Sequence, residues 1–143
     1  MKKLYLMRHA KSSWETAHLP DRRRPLLEKG VLLAEERARE LKKSGTTLDA
    51  IWTSDAVRAT QTAEIVRKVF DLNEENVFVE PAIYDVQHVN DLRSIVRSIP
   101  DVFESVLLVG HNPLLTEFAQ LFTRDRLDEM KTSQIIGVLF NDA

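Results

Sequence analysis

The residues best suited to chemistry in this sequence are Arg8 and His9, which directly follow the apolar residues 4–7. A short, uninterrupted apolar run predicts a buried strand. In α/β sheets, ligands bind at the carboxyl ends of the strands. An arginine there can neutralise phosphate oxygens with its planar guanidinium, and a histidine can attack phosphorus. An isolated Arg-His pair is nevertheless more often structural than catalytic, so the rest of the chain has to decide.

Two more residues of this kind follow other predicted strands. His111 comes just after the apolar run 105–109, and Arg58 lies in the first turn of the helix predicted after the strand 48–53. A cation at a helix start opposes the helix dipole. Arg58 could be a surface arginine that tolerates this cost, or it could bind an anion together with the helix N-terminus. Right-handed crossovers bring the carboxyl ends of parallel strands to one edge of a sheet. We therefore expect Arg58 and His111 to lie near His9.

The polar segment 11–24 contains three consecutive arginines, Arg22, Arg23 and Arg24. Its proline, aspartate and serine residues predict a loop. The arginines could form a solvated patch, or one of them could turn inward and line an anion pocket. The sequence does not indicate which one would do so.

Hydrophobic periodicity predicts the elements that position these residues. Apolar stripes at spacings of three and four predict helices, and short continuous apolar runs predict buried strands. The predicted strands are 4–7, 48–53, 77–79, 105–109 and 135–140. The predicted helices are 28–43, 56–70, one that is capped by Asn90 and ends before Pro100, and one that begins at Pro113. Residues 83–85 are predicted as a loop. This alternation predicts an α/β fold, a three-layer αβα sandwich with a mainly parallel central sheet, formed by a single domain over residues 1–143.

One glycine stands out within these predicted elements. Gly30 lies early in the helix 28–43, where glycine costs stability relative to alanine. A close approach of another backbone segment would explain it, and so would chance.

Composition excludes several classes of protein. The net charge is −2, cysteine is absent, and no apolar run approaches the length of a membrane helix. We therefore expect no nucleic-acid partner, no membrane contact, no disulfides and no thiolate metal site. The four histidines also lack a paired helical metal spacing. A cytoplasmic location and a monomer are expected.

Three motifs resemble those of the histidine phosphatase superfamily, whose fold is phosphoglycerate-mutase-like. The first is Arg8-His9, with Ala10 in place of the usual glycine, the second is Ser54-x-x-x-Arg58-Ala-x-Gln-Thr-Ala, and the third is Gly110-His111. The small size, the start Arg-His-Ala-Lys-Ser-Ser-Trp, and Asp21 with Arg24-Pro25-Leu26 resemble the SixA-like branch, the phosphohistidine phosphatases.

The resemblance implies roles for individual residues. His9 would be the nucleophile and form a phosphohistidine intermediate, and Arg8, Arg58 and His111 would hold the phosphoryl oxygens, with no metal or other cofactor. Arg24 would add a further phosphate contact. Asp85 stands where larger relatives carry a glutamate general acid, and the weaker candidates for that role are Asp21, Glu80 and His88.

The function expected first is hydrolysis of phosphohistidine on a protein of the phosphocarrier or phosphotransfer type. The alternatives are a small-molecule phosphomonoesterase of the same superfamily and a phospholigand-binding module with little turnover. The chain leaves no room for a capping subdomain, so we expect an open pocket that suits a protein substrate. Imidazole, with a pKa of about 6.5, also leaves with less acid assistance than an alkoxide.

Overall fold

In the computed structural model, which describes residues 1–14 and 18–140, a five-stranded sheet separates two layers of helices. The strands lie in the order β3-β2-β4-β1-β5. Neighbours are parallel except for β5, which pairs antiparallel with β1. The strands are β1 Lys3–Arg8, β2 Ala50–Thr53, β3 Val77–Val79, β4 Ser105–Gly110 and β5 Ile135–Leu139. The predicted mainly parallel sheet is therefore confirmed.

The helices connect the strands in the alternating pattern that the sequence predicts. They are α1 Glu28–Lys43, α2 Val57–Phe70, α3 Ala82–Asp85, α4 Val89–Arg97 and α5 Leu114–Gln120, and two short 3-10 helices cover Asp21–Arg23 and Glu74–Asn76. Among the described residues, no helix is long and apolar enough to cross a membrane.

Alternate residues of the strands pack against opposite helix layers, because successive side chains point to opposite faces of a sheet. On β1, Leu4 and Leu6 belong to the core that α4 and α5 cover, with Leu92 of α4 and Phe118 of α5. Met7 belongs to the core that α1 and α2 cover. Burying each large apolar side chain contributes about 1.5–3 kcal/mol. The two cores confirm the predicted three-layer sandwich.

Two predictions about the segment between β3 and β4 are wrong. Residues 83–85, predicted as a loop, lie in the single turn of α3, which follows Pro81, whose φ of −58° suits a helix start. Asn90 does not cap α4, because the helix begins one residue earlier, at Val89, after the extended residue His88. Val89 packs against the core, and this tertiary contact extends the helix beyond the residue that the cap preference favours.

The sheet order places three loops side by side. β4 lies between β2 and β1, with Arg8 opposite Gly110 and Thr53 opposite Val109. Because these strands are parallel and in register, the residues that follow them emerge at the same edge of the sheet.

Candidate active site

Four of the predicted residues meet at this edge, and we call Arg8, His9, Arg58 and His111 the four-residue cluster. The ring centroids of His9 and His111 are 5.2 Å apart. Arg58 Nε lies 3.4 Å from His9 Nε2. The main-chain N–H of His9 donates to the Gly110 carbonyl at 3.1 Å, which fixes the start of the loop after β1 against the end of β4.

The hydrogen bonds of His9 determine which ring nitrogen carries the proton. Nδ1 lies 2.7 Å from the Ala10 carbonyl oxygen. A carbonyl can only accept, so Nδ1 must donate and hold the proton of the neutral ring. Nε2 is left with its lone pair directed towards the N–H of Arg58. The site thus presents one unprotonated imidazole nitrogen beside a guanidinium.

His9 is neutral at physiological pH for a physical reason. Burial lowers the pKa of His9 to about 4; the Ala10 hydrogen bond acts in the opposite direction, and the positive charges of Arg58 and Arg8 lower it further. Only the unprotonated nitrogen is a nucleophile, so this environment keeps Nε2 reactive across the neutral range.

Ala10, which replaces the glycine of the first motif, fits its position without backbone strain. Among the described residues other than glycine, only Asp71 and Ser133 have a positive φ, so Ala10 does not need glycine's conformational freedom. Ala10 is fully buried, and its N–H donates to the Thr62 hydroxyl at 2.9 Å. That hydroxyl donates in turn to the Arg58 carbonyl at 2.7 Å. The loop after β1 is therefore tied directly to α2.

His111 is held by the residue that follows β2. Its Nε2 lies 2.8 Å from the Ser54 hydroxyl, which also accepts from the Ala56 N–H at 3.1 Å. Burial lowers the pKa of His111 to about 3, and the nearby His9 and Arg58 act in the same direction. The Nδ1 atom is buried without a hydrogen-bond partner among the described residues.

Arg8 is oriented from the opposite side of the site. Its Nη1 donates to the Met130 carbonyl at 2.8 Å, and Asn112 donates to the same oxygen at 2.8 Å. Arg8 Nε is buried and, like His111 Nδ1, has no partner in the part of the chain that the structure describes. Buried polar atoms are normally hydrogen-bonded. Two unpaired nitrogens in one cluster indicate a site suited to an anion, whose oxygens could accept from both.

Asp21 organises the other side of the cluster. Its carboxylate accepts from Arg58 at 3.0 Å, from Arg24 at 2.9 Å and from the Tyr84 hydroxyl at 2.7 Å, and its carbonyl accepts a second bond from Arg58 at 2.7 Å. Partial burial alone would raise the pKa of Asp21, but the hydrogen bonds from Tyr84, Arg24 and Arg58 hold it at about 2. Asp21 is therefore ionised at neutral pH, where it orients the arginines and has no proton to give.

The structure separates the three consecutive arginines. Arg24 turns inward: it is 7% exposed and donates to the Ser12 hydroxyl at 2.8 Å. Arg22 pairs with Asp55 at 2.9 Å, and Arg23 is exposed. The inward side chain that the sequence could not identify is that of Arg24.

The remaining candidate acids lie outside the cluster. Asp85 has a side chain that is 64% exposed and pairs with Arg22 at 3.3 Å. Glu80 follows β3, and the exposed His88 precedes α4. In residues 1–14 and 18–140, none of these three side chains has a hydrogen bond or ion pair with the four-residue cluster.

Sequence reasoning missed several residues that build the site. It considered Asp21 as a weak candidate acid and as part of a loop that resembles the SixA-like branch, although its position three residues before Arg24 was also a usable signal for an ion pair. It assigned no role to the Tyr84 hydroxyl or to the Met130 carbonyl. No local pattern marks Met130, because its contact with Arg8 crosses 122 residues. Within the described ranges, no group of three or more histidine, aspartate or glutamate side chains is arranged to hold a metal ion.

Comparison with known sequences shows relatives of this chain. Residues 4–90 match the family model of the histidine phosphatase superfamily (branch 1). An uncharacterised chloroplastic protein of Arabidopsis thaliana is 32% identical over 130 residues, which cover 85% of this chain and 59% of the plant protein. A 2,3-bisphosphoglycerate-dependent phosphoglycerate mutase of Bradyrhizobium sp. is 38% identical over 69 residues, which cover 44% of this chain and 31% of the mutase. The chain thus spans less than two thirds of the length of either relative.

Solved structures share the fold over nearly the whole chain. A candidate phosphohistidine phosphatase SixA from Agrobacterium tumefaciens superposes with a TM-score of 0.86 at 25% identity, covering 96% of this chain and 91% of that protein. The protein histidine phosphatase SixA in complex with tungstate superposes with a TM-score of 0.84 at 24% identity, covering 98% of this chain and 89% of that protein. A phosphoglycerate mutase from Bacillus anthracis superposes with a TM-score of 0.77 at 17% identity, covering 99% of this chain and 88% of that protein. These likenesses confirm the predicted phosphoglycerate-mutase-like fold.

Proposed function

Because this chain belongs to the histidine phosphatase superfamily, we propose that it is a phosphatase with His9 as its nucleophile. One observation carries the proposal: the Nδ1 proton of His9 is committed to the Ala10 carbonyl, which leaves Nε2 unprotonated beside Arg58. In the first step Nε2 attacks phosphorus, and the bond from phosphorus to the leaving group breaks. In the second step water attacks the phosphohistidine, which releases inorganic phosphate and restores His9.

The other three members of the cluster hold the phosphoryl oxygens during both steps. Arg58 lies against the attacking nitrogen, and Arg8 Nε and His111 Nδ1 are buried donors without another described partner. The Ser54 hydroxyl can donate to His111 Nε2, which places the ring proton on Nδ1, where it can reach a phosphoryl oxygen. Donors fixed where charge develops stabilise the transition state without reorganisation.

Arg24 contributes mainly through its charge. Its described hydrogen bonds go to Ser12, to the Ser13 carbonyl and to Asp21, yet its positive charge is close enough to help to lower the pKa of His9, after burial and the two arginines of the cluster. We propose that it stabilises bound phosphate at short range and orients Asp21.

The shape of the site supports a protein as the substrate. Between α2 and β4 the chain forms only a 3-10 turn, β3 and the short helices α3 and α4, so this segment supplies no capping subdomain that would enclose a small ligand over the cluster. A phosphoryl group can enter while its leaving group stays at the surface. A phosphorylated side chain of another protein, of phosphocarrier or phosphotransfer type, meets this condition.

The candidate proton donors of the site indicate which leaving group it favours. Asp21 is ionised at neutral pH, and Asp85 is exposed and paired with Arg22. An alkoxide leaving group needs a good proton donor, whereas imidazole, with a pKa of about 6.5, does not. We therefore propose phosphohistidine as the substrate, which the structural similarity to a candidate SixA phosphohistidine phosphatase supports.

A substrate panel tests the proposal. It contains a phosphohistidine peptide, a phosphocarrier protein phosphorylated on histidine, a sugar phosphate and an aryl phosphate, each measured as kcat/KM. We expect the highest value for a phosphohistidine substrate. Faster turnover of the sugar phosphate than of both phosphohistidine substrates would reject the substrate class. Binding of all four substrates without turnover would instead show a binding module.

Substitution of Asp85 tests the leaving-group argument. Asp85→Asn should reduce hydrolysis of phosphohistidine much less than hydrolysis of an alkyl phosphate ester, because only the alkoxide requires a proton. Asp101→Asn is the control, since Asp101 is an exposed aspartate that pairs with the amino terminus. Equal losses on both substrates would contradict the argument.

A further inference from the structure

Trp14 is an exposed aromatic residue held beside the active site. It is 74% exposed, and the guanidinium carbon of Arg24 lies 3.5 Å from its ring centroid. Arg24 itself is only 7% exposed. One face of the indole is therefore covered by a buried cation, and the other face is open to solvent.

The ring is fixed by the same network that builds the site. Ser12 pairs with Leu26 in an isolated antiparallel bridge, so the segment before Trp14 runs beside the segment after Arg24. Arg24 is anchored by Asp21, which also holds Arg58 against His9. A cation–π contact at an exposed site contributes about 0.5–1 kcal/mol. Trp14 is thus preorganised, linked to the cluster through Arg24 and Asp21, while most of its surface stays exposed.

The charges around Trp14 indicate the chemistry of its partner. Lys11 and Arg23 are exposed and stand close in sequence to Trp14 and Arg24. Lys29 lies against Lys11, and its side-chain hydrogen bond and then the repulsion between the two charges lower the pKa of Lys11. Gly30 lies against the Lys11 main chain, which places Lys11 beside the start of α1, where Lys29 lies. An acidic polypeptide would relieve this repulsion, and tryptophan and arginine, as in the pair of Trp14 and Arg24, are enriched among the residues that dominate binding at protein interfaces.

We propose that the open face of Trp14 is a docking contact for the acidic protein segment that surrounds the phosphorylated side chain. This inference rests on the proposed function and adds a specificity contact outside the reacting atoms. Because the segment between α2 and β4 forms no capping subdomain over the cluster, the residues that neighbour the phosphorylated side chain of the partner would lie on the surface beside it. A rigid, preorganised aromatic ring there loses little entropy on binding.

Two variants test the inference, Trp14→Ala and Trp14→Phe, with Leu139→Ala as the control. Leu139 is also 74% exposed, but it pairs with Lys3 at the opposite end of β1. The substrates are an acidic phosphocarrier protein phosphorylated on histidine and phosphoramidate, a small P–N compound with no polypeptide. Each variant is measured for kcat and KM on both substrates.

Trp14→Ala should lower the ratio of kcat/KM for the protein to kcat/KM for phosphoramidate by about 10-fold, mainly by raising KM for the protein, as for loss of an interface hot spot. Trp14→Phe should retain part of the ratio, and Leu139→Ala should leave it unchanged. Equal losses on both substrates, which leave the ratio unchanged, would show that Trp14 only supports Arg24. Wild-type values on both substrates would show no docking. Both results overturn the inference while the phosphatase stands. If the wild type hydrolyses phosphoramidate but no phosphohistidine protein, the proposed substrate fails, and this inference fails with it.

Discussion

At the scale of single residues, the state of His9 depends on a main-chain atom. The Ala10 carbonyl fixes the ring proton on Nδ1, and burial then keeps the ring neutral. The motif Arg8-His9 predicts the residue types from sequence. It does not predict the tautomer, because the course of the loop that carries the Ala10 carbonyl depends on contacts distant in sequence, such as the bond from the Ala10 N–H to Thr62, 52 residues away.

Substitution of Arg58 tests the proposed role of the four-residue cluster in binding phosphate. Its guanidinium reaches both His9 and Asp21, and a lysine cannot make this forked set of contacts. We expect Arg58→Ala to reduce kcat/KM by about 10²–10³-fold, as for loss of a transition-state donor, and Arg58→Lys to recover little of it. Inorganic phosphate and vanadate should also no longer act as competitive inhibitors of the Arg58→Ala variant.

The control for Arg58 is Arg39→Ala, because Arg39 is an exposed arginine that pairs with Glu35 on α1. It should keep wild-type kinetics. Wild-type activity and inhibition in Arg58→Ala would show that the start of α2 does not bind phosphate.

At the scale of elements, α1 illustrates where sequence patterns suffice. Its predicted bounds, 28–43, agree with the observed helix Glu28–Lys43. The apolar stripe, the lysines of the last turn and Gly45, with a φ of 91°, mark it locally. Helices α3 and α4 were predicted less well, because a single turn carries too little periodicity and the start of α4 depends on packing of Val89.

Gly30 lies against the loop that follows β1 and carries His9. A Cβ at this position would lie 2.4 Å from the Lys11 carbonyl oxygen, a main-chain atom that cannot move without the loop after β1. This close approach explains the glycine that the sequence left open. We expect Gly30→Ala to lower both Tm and kcat/KM, although alanine in a helix usually adds about 0.8–1 kcal/mol relative to glycine.

The matched control is Gly137→Ala, measured by thermal unfolding and by the same kinetics. There the nearest atoms, at 3.2 Å, belong to the Tyr5 side chain, which can turn. Activity should be retained. A raised Tm with full activity in Gly30→Ala would show that the approach of α1 does not hold the loop.

At the scale of the whole molecule, the two cluster histidines couple stability to pH. Burial lowers the pKa of His9 to about 4 and that of His111 to about 3. In the unfolded chain both protonate near pH 6.5. Below pH 6.5 the folded state therefore binds fewer protons than the unfolded chain. The free energy of unfolding that the two neutral histidines contribute above pH 6.5 is lost as the pH falls towards 4 and 3.

Chemical unfolding between pH 7.5 and 5 measures this coupling before most carboxylates titrate. Each histidine should contribute a loss of up to about 1.4 kcal/mol per pH unit in the free energy of unfolding. His9→Gln and His111→Gln should each make the dependence shallower, with His88→Gln as the exposed control. An unchanged slope in both cluster variants would contradict the neutral, buried state of these rings.

The arrangement of the whole molecule shows which parts of the fold and the site could be predicted from the sequence. Alternating patterns predict the layers, and parallel strands predict that His9, Arg58 and His111 share one edge. The described structure brings them together there. The supports of the site come from segments distant in the chain: Met130 holds Arg8, and Asp21 holds Arg58. Such contacts depend on how the loops pack and leave no local pattern.

The central claim is that His9 Nε2 forms a bond to phosphorus. Rapid quenching of the wild type with a labelled phosphohistidine protein tests it most directly. We expect a labelled enzyme that is labile in acid and stable in base, as for a P–N bond, with the label on His9 and absent from His9→Ala, which should not turn over. Label on Ser12 or Ser13, or continued turnover by His9→Ala, would contradict the account.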